Sequence, residues 1–206
     1  MYKRYAVYHC PEGALGAFGT AWLGNGRELV AQPSRYGFHA TLKAPFALAE
    51  GQSEGGLAGA VKALAAGLRP VEIELELARL GSFFALVPKG ETAALRALSG
   101  ACVLELEAFR APMSEAEYVR KLRPNMPERQ VENLKRWGYP YVLDDFRFHL
   151  TLTGPVAKAA RESAEAELRA VLPDVSAPYA VNTICLCGED AGGQFRVIKR
   201  FALGGA

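Results

Sequence analysis

The sequence predicts an α+β fold built from two related halves, about 1–110 and 111–206, that share one domain. Three observations predict it. Stretches of period-two alternation are separated by stretches with apolar residues at helical spacing. The order strand, helix, hairpin occurs twice. A nine-residue phrase, FHATLKAPF at 38–46, returns as FHLTLTGPV at 148–156.

Taken in chain order, Tyr2 to Tyr8 reads as a strand, and Leu15, Phe18 and Trp22 mark a short helix after Pro11. Arg35 to Phe46 reads as extended, and Leu57, Val61, Leu64 and Leu68 form a helix face. From Val71 to Leu77 the alternation is strict, with Glu72, Glu74 and Glu76 opposite Val71, Ile73, Leu75 and Leu77. That pattern is a half-buried strand with a solvated acidic face. A turn at Leu80 to Ser82 leads into a second strand, Phe83 to Val87, followed by a helix through Leu95, Leu98, Cys102 and Phe109. Ser114 with Glu117 three residues on is a capping-box start. Pro124 and Pro127 punctuate the helical stretch that ends at Trp137 and Gly138. Arg147 to Val156 is extended again, and Ala164, Leu168 and Val171 form a helix face closed by Pro173. Tyr179 to Cys187 then pairs with Phe195 to Leu203 through a Gly-rich turn.

Composition narrows the function. The chain has 206 residues, 50% of them hydrophobic, and its 24 basic and 22 acidic side chains leave a net charge of +2. A chain of this size buries roughly 70 to 75% of its unfolded surface, enough for a sizeable core. The long-range field of a dedicated duplex-binding protein is missing, so a small anionic substrate fits better than a long polyanion. No apolar run approaches the roughly 18 residues of a membrane span, and MYKRYAVYHC lacks a leader's apolar region, so a cytoplasmic protein with no membrane partner is expected. Cys10, Cys102, Cys185 and Cys187 include no CxxC pair and read as small apolar fillers.

The repeated phrase carries the chemistry. Only three histidines exist, and two of them, 110 residues apart, sit in the same Phe-His-x-Thr-Leu context with a proline six residues on. In a strand, His39, Thr41 and Lys43 share one face, and Arg147, His149, Thr151 and Thr153 share the matching face of the second copy. Related by a pseudo-twofold, the two faces meet across one cleft, with the imidazoles expected less than about 8 Å apart so that one phosphoryl group touches both. Two imidazoles near pKa 6.5 can divide acid and base roles, and two threonine hydroxyls can hold the non-bridging oxygens of a phosphate. This is equipment for in-line attack on a phosphodiester, with His39, Thr41, His149 and Thr151 as catalytic candidates and no cofactor or metal required. Lys43, Arg147, Tyr36, Tyr141 and Thr153 are the substrate-binding candidates; His9, outside the motif, reads as structural.

HATLK and HLTLT resemble the two His-x-Thr signatures of the two-histidine (2H) phosphoesterase superfamily. RYGFHATLKAPF together with RWGYPYVLDDFRFHLTLTG looks like its branch associated with phosphonate-utilisation operons. The resemblance implies a bilobal pseudo-twofold duplication, antiparallel sheets flanked by helices around a central cleft, and metal-independent hydrolysis of a small cyclic phosphodiester. A phosphoribosyl or nucleoside cyclic phosphate is the substrate so implied.

Alternatives stay open. RNA-end processing, or 2′-5′ RNA ligase-like activity, would make RNA the partner, and the basic segment Arg120 to Arg136 would then serve as a lid or steering surface rather than a solvated helix face. A non-catalytic phosphate or RNA-binding module would use the same cleft. A zinc hydrolase would need a third ligand such as Asp144 or Asp145.

Overall fold

The computed structural model describes residues 2–175 and 177–204. Among these residues the chain forms eight strands and six α-helices. The strands are β1 (Tyr5–His9), β2 (Ala40–Phe46), β3 (Val71–Leu80), β4 (Phe83–Lys89), β5 (Leu150–Thr151), β6 (Tyr179–Val181), β7 (Thr183–Glu189) and β8 (Phe195–Ala202). The helices are α1 (Gly13–Leu23), α2 (Glu54–Gly67), α3 (Ala93–Glu105), α4 (Glu115–Lys121), α5 (Glu128–Trp137) and α6 (Arg161–Val171). The expected α+β class holds: the strands make two four-stranded sheets, ordered β2-β1-β7-β8 and β5-β4-β3-β6, and every pairing is antiparallel.

Strands are exchanged between the sheets. The hairpin β3–β4 pairs with β5 and β6 from the second half, and the hairpin β7–β8 joins β1 and β2 from the first. Strand, helix, strand, helix, strand therefore runs twice, as β1-α1-β2-α2-β3 and as β4-α3-β5-α6-β7, with the last strand of each series in the other's sheet. The segment 179–187 shows the consequence. The sequence reads it as one strand, yet β6 pairs with β3 in one sheet and β7 with β1 in the other. Between them the Asn182 carbonyl accepts the Leu203 N–H at 2.8 Å.

The alternation of β3 predicts its burial: Ile73 and Leu75 are buried, whereas Glu72, Glu74 and Glu76 are exposed. One continuous core joins the sheets through Val7, Leu42 and Leu186 on one and Leu75, Leu86, Leu150 and Leu152 on the other. Leu57 and Val61 of α2, Leu98 and Cys102 of α3, and Leu168 of α6 pack against it. A separate cluster, Ala6, Tyr8, Cys185, Cys187 and Phe195, lies on the opposite face of the first sheet. The cysteines are all free, and Cys102, Cys185 and Cys187 are buried. The Ser114 hydroxyl accepts the Glu117 N–H at 3.2 Å, so the expected cap starts α4, and Gly138 at φ 73 ends α5 in the left-handed conformation that glycine adopts without strain. Among the described residues no helix is long and apolar enough to cross a membrane.

Candidate active site

Both signature strands are edge strands, β2 beside β1 and β5 beside β4. Their side chains follow one rhythm. From Gly37 to Leu42 the residues run exposed, buried, half-buried, buried, half-buried, buried, and Arg147 to Leu152 repeat that order position for position. Phe38, Ala40 and Leu42, and likewise Phe148, Leu150 and Leu152, anchor each strand in the core. The intervening histidines and threonines are left half-buried on the other face, as strand parity requires.

The two imidazoles are also tied down in the same way. His39 Nδ1 lies 2.9 Å from the Gly37 carbonyl and His149 Nδ1 lies 2.8 Å from the Arg147 carbonyl. A carbonyl only accepts, so each Nδ1 carries the proton and each Nε2 of the neutral ring presents a lone pair. The Thr41 hydroxyl donates to His39 Nε2 at 3.2 Å. Gly37 reaches its position at φ +72, whereas Arg147 aims its carbonyl from ordinary backbone.

The walls differ. Tyr8 stacks on His39 with centroids 3.8 Å apart, and Tyr36 stands 6.2 Å away, while His149 meets the ring of Phe83 at 6.0 Å. Burial pushes His39 down to about 4, against the pull of the Gly37 carbonyl, and the charge of His149 pushes the same way. Burial also lowers His149, with the Arg147 carbonyl opposing it. The two rings thus lie within electrostatic reach of each other.

Not every residue expected on the site face is there. Lys43 is turned away, 3% exposed, with Nζ donating to the Val103 carbonyl at 3.0 Å and paired with Glu107 at 2.9 Å. The cause is a β-bulge. Val7 pairs with Lys43 but Tyr8 pairs with Thr41, so Leu42 is the extra residue and period-two parity fails beyond it. Thr153 is likewise 1% exposed, its hydroxyl accepting the Phe84 N–H at 2.9 Å and donating to the Gly154 carbonyl at 2.8 Å. Arg147 is exposed beside His149, Tyr36 is half-buried beside His39, and Tyr141 is exposed with its ring 5.6 Å from Tyr139. His9 is buried, with its nitrogens 2.9 Å from the Thr183 carbonyl and 2.7 Å from the Tyr179 hydroxyl, as a structural histidine should be. Sequence reading misses Tyr8: it faces His39 only because β1 lies beside β2, and Tyr8 pairs with Thr41.

In the basic segment, Arg129 pairs with Asp145, Lys121 with Glu117, and Arg136 stacks on Trp137 at 4.6 Å. Asp145 also accepts from Gln130 and Asn133, at 3.3 and 3.1 Å. Among the described residues no three His, Cys, Asp or Glu side chains gather closely enough to hold one metal ion.

Two edge strands, each presenting a tethered imidazole and a threonine, are thus set by an α+β fold of two four-stranded antiparallel sheets. Solved structures share it. Over 98% of both chains this protein is similar to E. coli LigT complexed with NADP+, with 16% identity and a TM-score of 0.50. Over 98% of this chain and 99% of the other it is similar to a structure described as a phosphoesterase, with 16% identity and a TM-score of 0.51. The chain belongs to the family described as "Protein of unknown function (DUF1045)", which matches residues 41–196. Among curated proteins it is 32% identical to ribose 1,5-bisphosphate phosphokinase PhnN of Janthinobacterium sp. (strain Marseille), over 92% of this chain and 48% of that protein. It is 38% identical to PhnN of Laribacter hongkongensis (strain HLHK9), over 73% of this chain and 40% of that protein. The chain thus spans less than half the length of these relatives.

Proposed function

We propose that this protein is a metal-independent cyclic phosphodiesterase that opens a small sugar or nucleoside cyclic phosphate, with a phosphoribosyl 1,2-cyclic phosphate as the leading substrate. The observation that carries the reading is the duplicated tether, in which both signature histidines donate Nδ1–H to the carbonyl two residues before them and turn Nε2 away from it; at His39 the Thr41 hydroxyl that donates to Nε2 turns to the phosphate when substrate binds. One Nε2 takes a proton from water as the water oxygen bonds to phosphorus. The other imidazole, protonated, gives its proton to the ester oxygen as the phosphorus–oxygen bond breaks. Thr41 and Thr151 hold the non-bridging oxygens while charge grows on them.

Two further observations favour a small substrate. Ala78 pairs with Ala85 and Ala85 with Thr151, so Glu72, Glu74 and Glu76 share the sheet face that carries Thr151. A polyanion running along that face meets a row of exposed carboxylates. The names of the relatives supply the second: opening a 5-phosphoribosyl 1,2-cyclic phosphate at the O2 side yields ribose 1,5-bisphosphate, the compound on which those kinases are named to act. On this reading the protein serves phosphonate metabolism in the cytoplasm as a single bilobal unit.

The test sets a cyclic phosphoribose, a 2′,3′-cyclic mononucleotide and an RNA oligomer with a cyclic-phosphate end in competition for the purified, chelator-treated protein. Preference for the cyclic phosphoribose, unchanged by EDTA, is expected. Preference for the oligomer with steep salt dependence would instead make this an RNA-processing enzyme. Loss of activity to EDTA and its return with zinc would make it a metallohydrolase.

A further inference from the structure

One carbonyl in each signature strand has left the sheet ladder, and each has found a buried side-chain donor. Leu42 is the extra residue of the β2 bulge, and its carbonyl accepts the Ser99 hydroxyl of α3 at 2.8 Å. Leu152 follows the last residue of β5, and its carbonyl accepts the Trp22 indole N–H of α1 at 2.7 Å. Both carbonyls sit three residues after the histidine and one after the threonine. Ser99 is fully buried and Trp22 is 7% exposed, so no water replaces either bond at low cost.

The arrangement is crossed. Helix α1 follows β1 of the first sheet yet holds the strand of the second, while α3 follows β4 of the second sheet yet holds the strand of the first. We propose that Trp22 and Ser99 are paired positioning residues, each a clamp, from a helix that follows a strand of one sheet, that sets the signature threonine hydroxyl of the other sheet against the bound phosphoryl group.

The reason lies in what the ladder leaves over at the threonines: the Leu152 and Thr153 N–H groups both go to the Phe84 carbonyl, at 2.9 and 3.2 Å, and β2 resumes its pairing only at Lys43. β5 contributes two residues to its ladder, and β2 is interrupted by its bulge immediately after Thr41. Both lie at a sheet edge, with a neighbouring strand on one side only. A carbonyl fixed one residue beyond the threonine ties the acceptor side of that peptide, the group nearest the threonine that the ladder does not use.

This inference rests on the proposed phosphodiesterase reading, and the experiment separates the two. Ser99→Ala removes a donor and keeps the packing, and Trp22→Phe removes a donor and part of the buried ring; each is made alone, with Thr41→Val and with Thr151→Val. Turnover and KM on a cyclic phosphodiester, the Kd for inorganic phosphate and the melting temperature are measured for all. Ser99→Ala should lower kcat about tenfold with KM within about twofold in the unaltered protein and in Thr151→Val, but less than about twofold in Thr41→Val, since residues acting through one group are non-additive. Trp22→Phe should show the mirror pattern; should it fail to fold, the Ser99 arm alone decides. Equal losses in both threonine backgrounds, or a fall in melting temperature with kcat unmoved, would overturn the crossed clamp and leave the phosphodiesterase reading standing. Full activity and unchanged phosphate binding in both threonine variants would instead overturn the site reading.

Discussion

The two signature strands are alike in sequence and burial rhythm and unlike in what surrounds them. The first is a seven-residue strand whose histidine is stacked under Tyr8 at 3.8 Å and whose threonine already donates to it. The second is a two-residue strand whose histidine meets Phe83 at 6.0 Å, beside the exposed Arg147. Duplication thus supplied two equal imidazoles, and the neighbouring strands made them unequal. On the proposed reading, His39, which burial pushes down to about 4, suits the base, and His149, beside Arg147, suits the acid.

The comparison fails outright if only one histidine matters. Replacing His39 or His149 with alanine should each lower kcat/KM by roughly 10²-fold to 10⁴-fold, and the double variant should fall little further, because the pair acts as a unit. A single variant with near-normal rate would assign the chemistry to one strand. Next in size, Arg147→Ala should cost at least about tenfold in kcat/KM, the loss of one charge-assisted contact of roughly 1.5 to 3 kcal/mol. No loss would remove the cation from the second strand's side of the comparison.

Structure around the first strand can be disturbed selectively. Gly19 in α1 faces Phe38, and an added Cβ would lie 2.0 Å from the Phe38 ring, so Gly19→Ala should destabilise the protein by roughly 1 to 3 kcal/mol through overpacking. A melting curve measures this, and an unchanged midpoint would show that α1 and the first signature separate easily.

The smallest effect concerns pH. Burial holds His39 and His9 at about 4, against about 6.5 when unfolded, so between these values the unfolded chain binds more protons. Stability is therefore complete above about pH 6.5 and declines as pH falls towards 4. The slope of melting temperature against pH should shrink more in His39→Gln than in His149→Gln. Equal slopes would mean that the two sites are electrostatically alike after all. In the rate profile, the acidic limb of kcat/KM should follow His39 and move on replacement of Tyr8 by leucine, which removes the stacked ring.

Much of this was legible in the sequence. Strict alternation in Val71 to Leu77 predicts β3 because one face meets a core and the other meets water, a demand met within the strand itself. The duplicated Phe-His-x-Thr-Leu phrase predicts two matching strands and the histidine–threonine side of each, because parity is local for as long as pairing is regular. Regularity is what the sequence cannot guarantee. The bulge at Leu42 belongs to the pairing of β2 with β1, and it alone takes Lys43 away from the candidate site to Glu107. The break at Asn182 belongs to two sheets competing for one extended segment, and Tyr8, Trp22 and Ser99 reach the signatures only through neighbours distant in the chain. The sequence by itself determined which groups face out of each signature strand, since side-chain alternation needs nothing beyond the strand. Only the tertiary structure decided what those groups meet, because sheet register, bulges and helix-to-strand hydrogen bonds exist only once both halves have folded together.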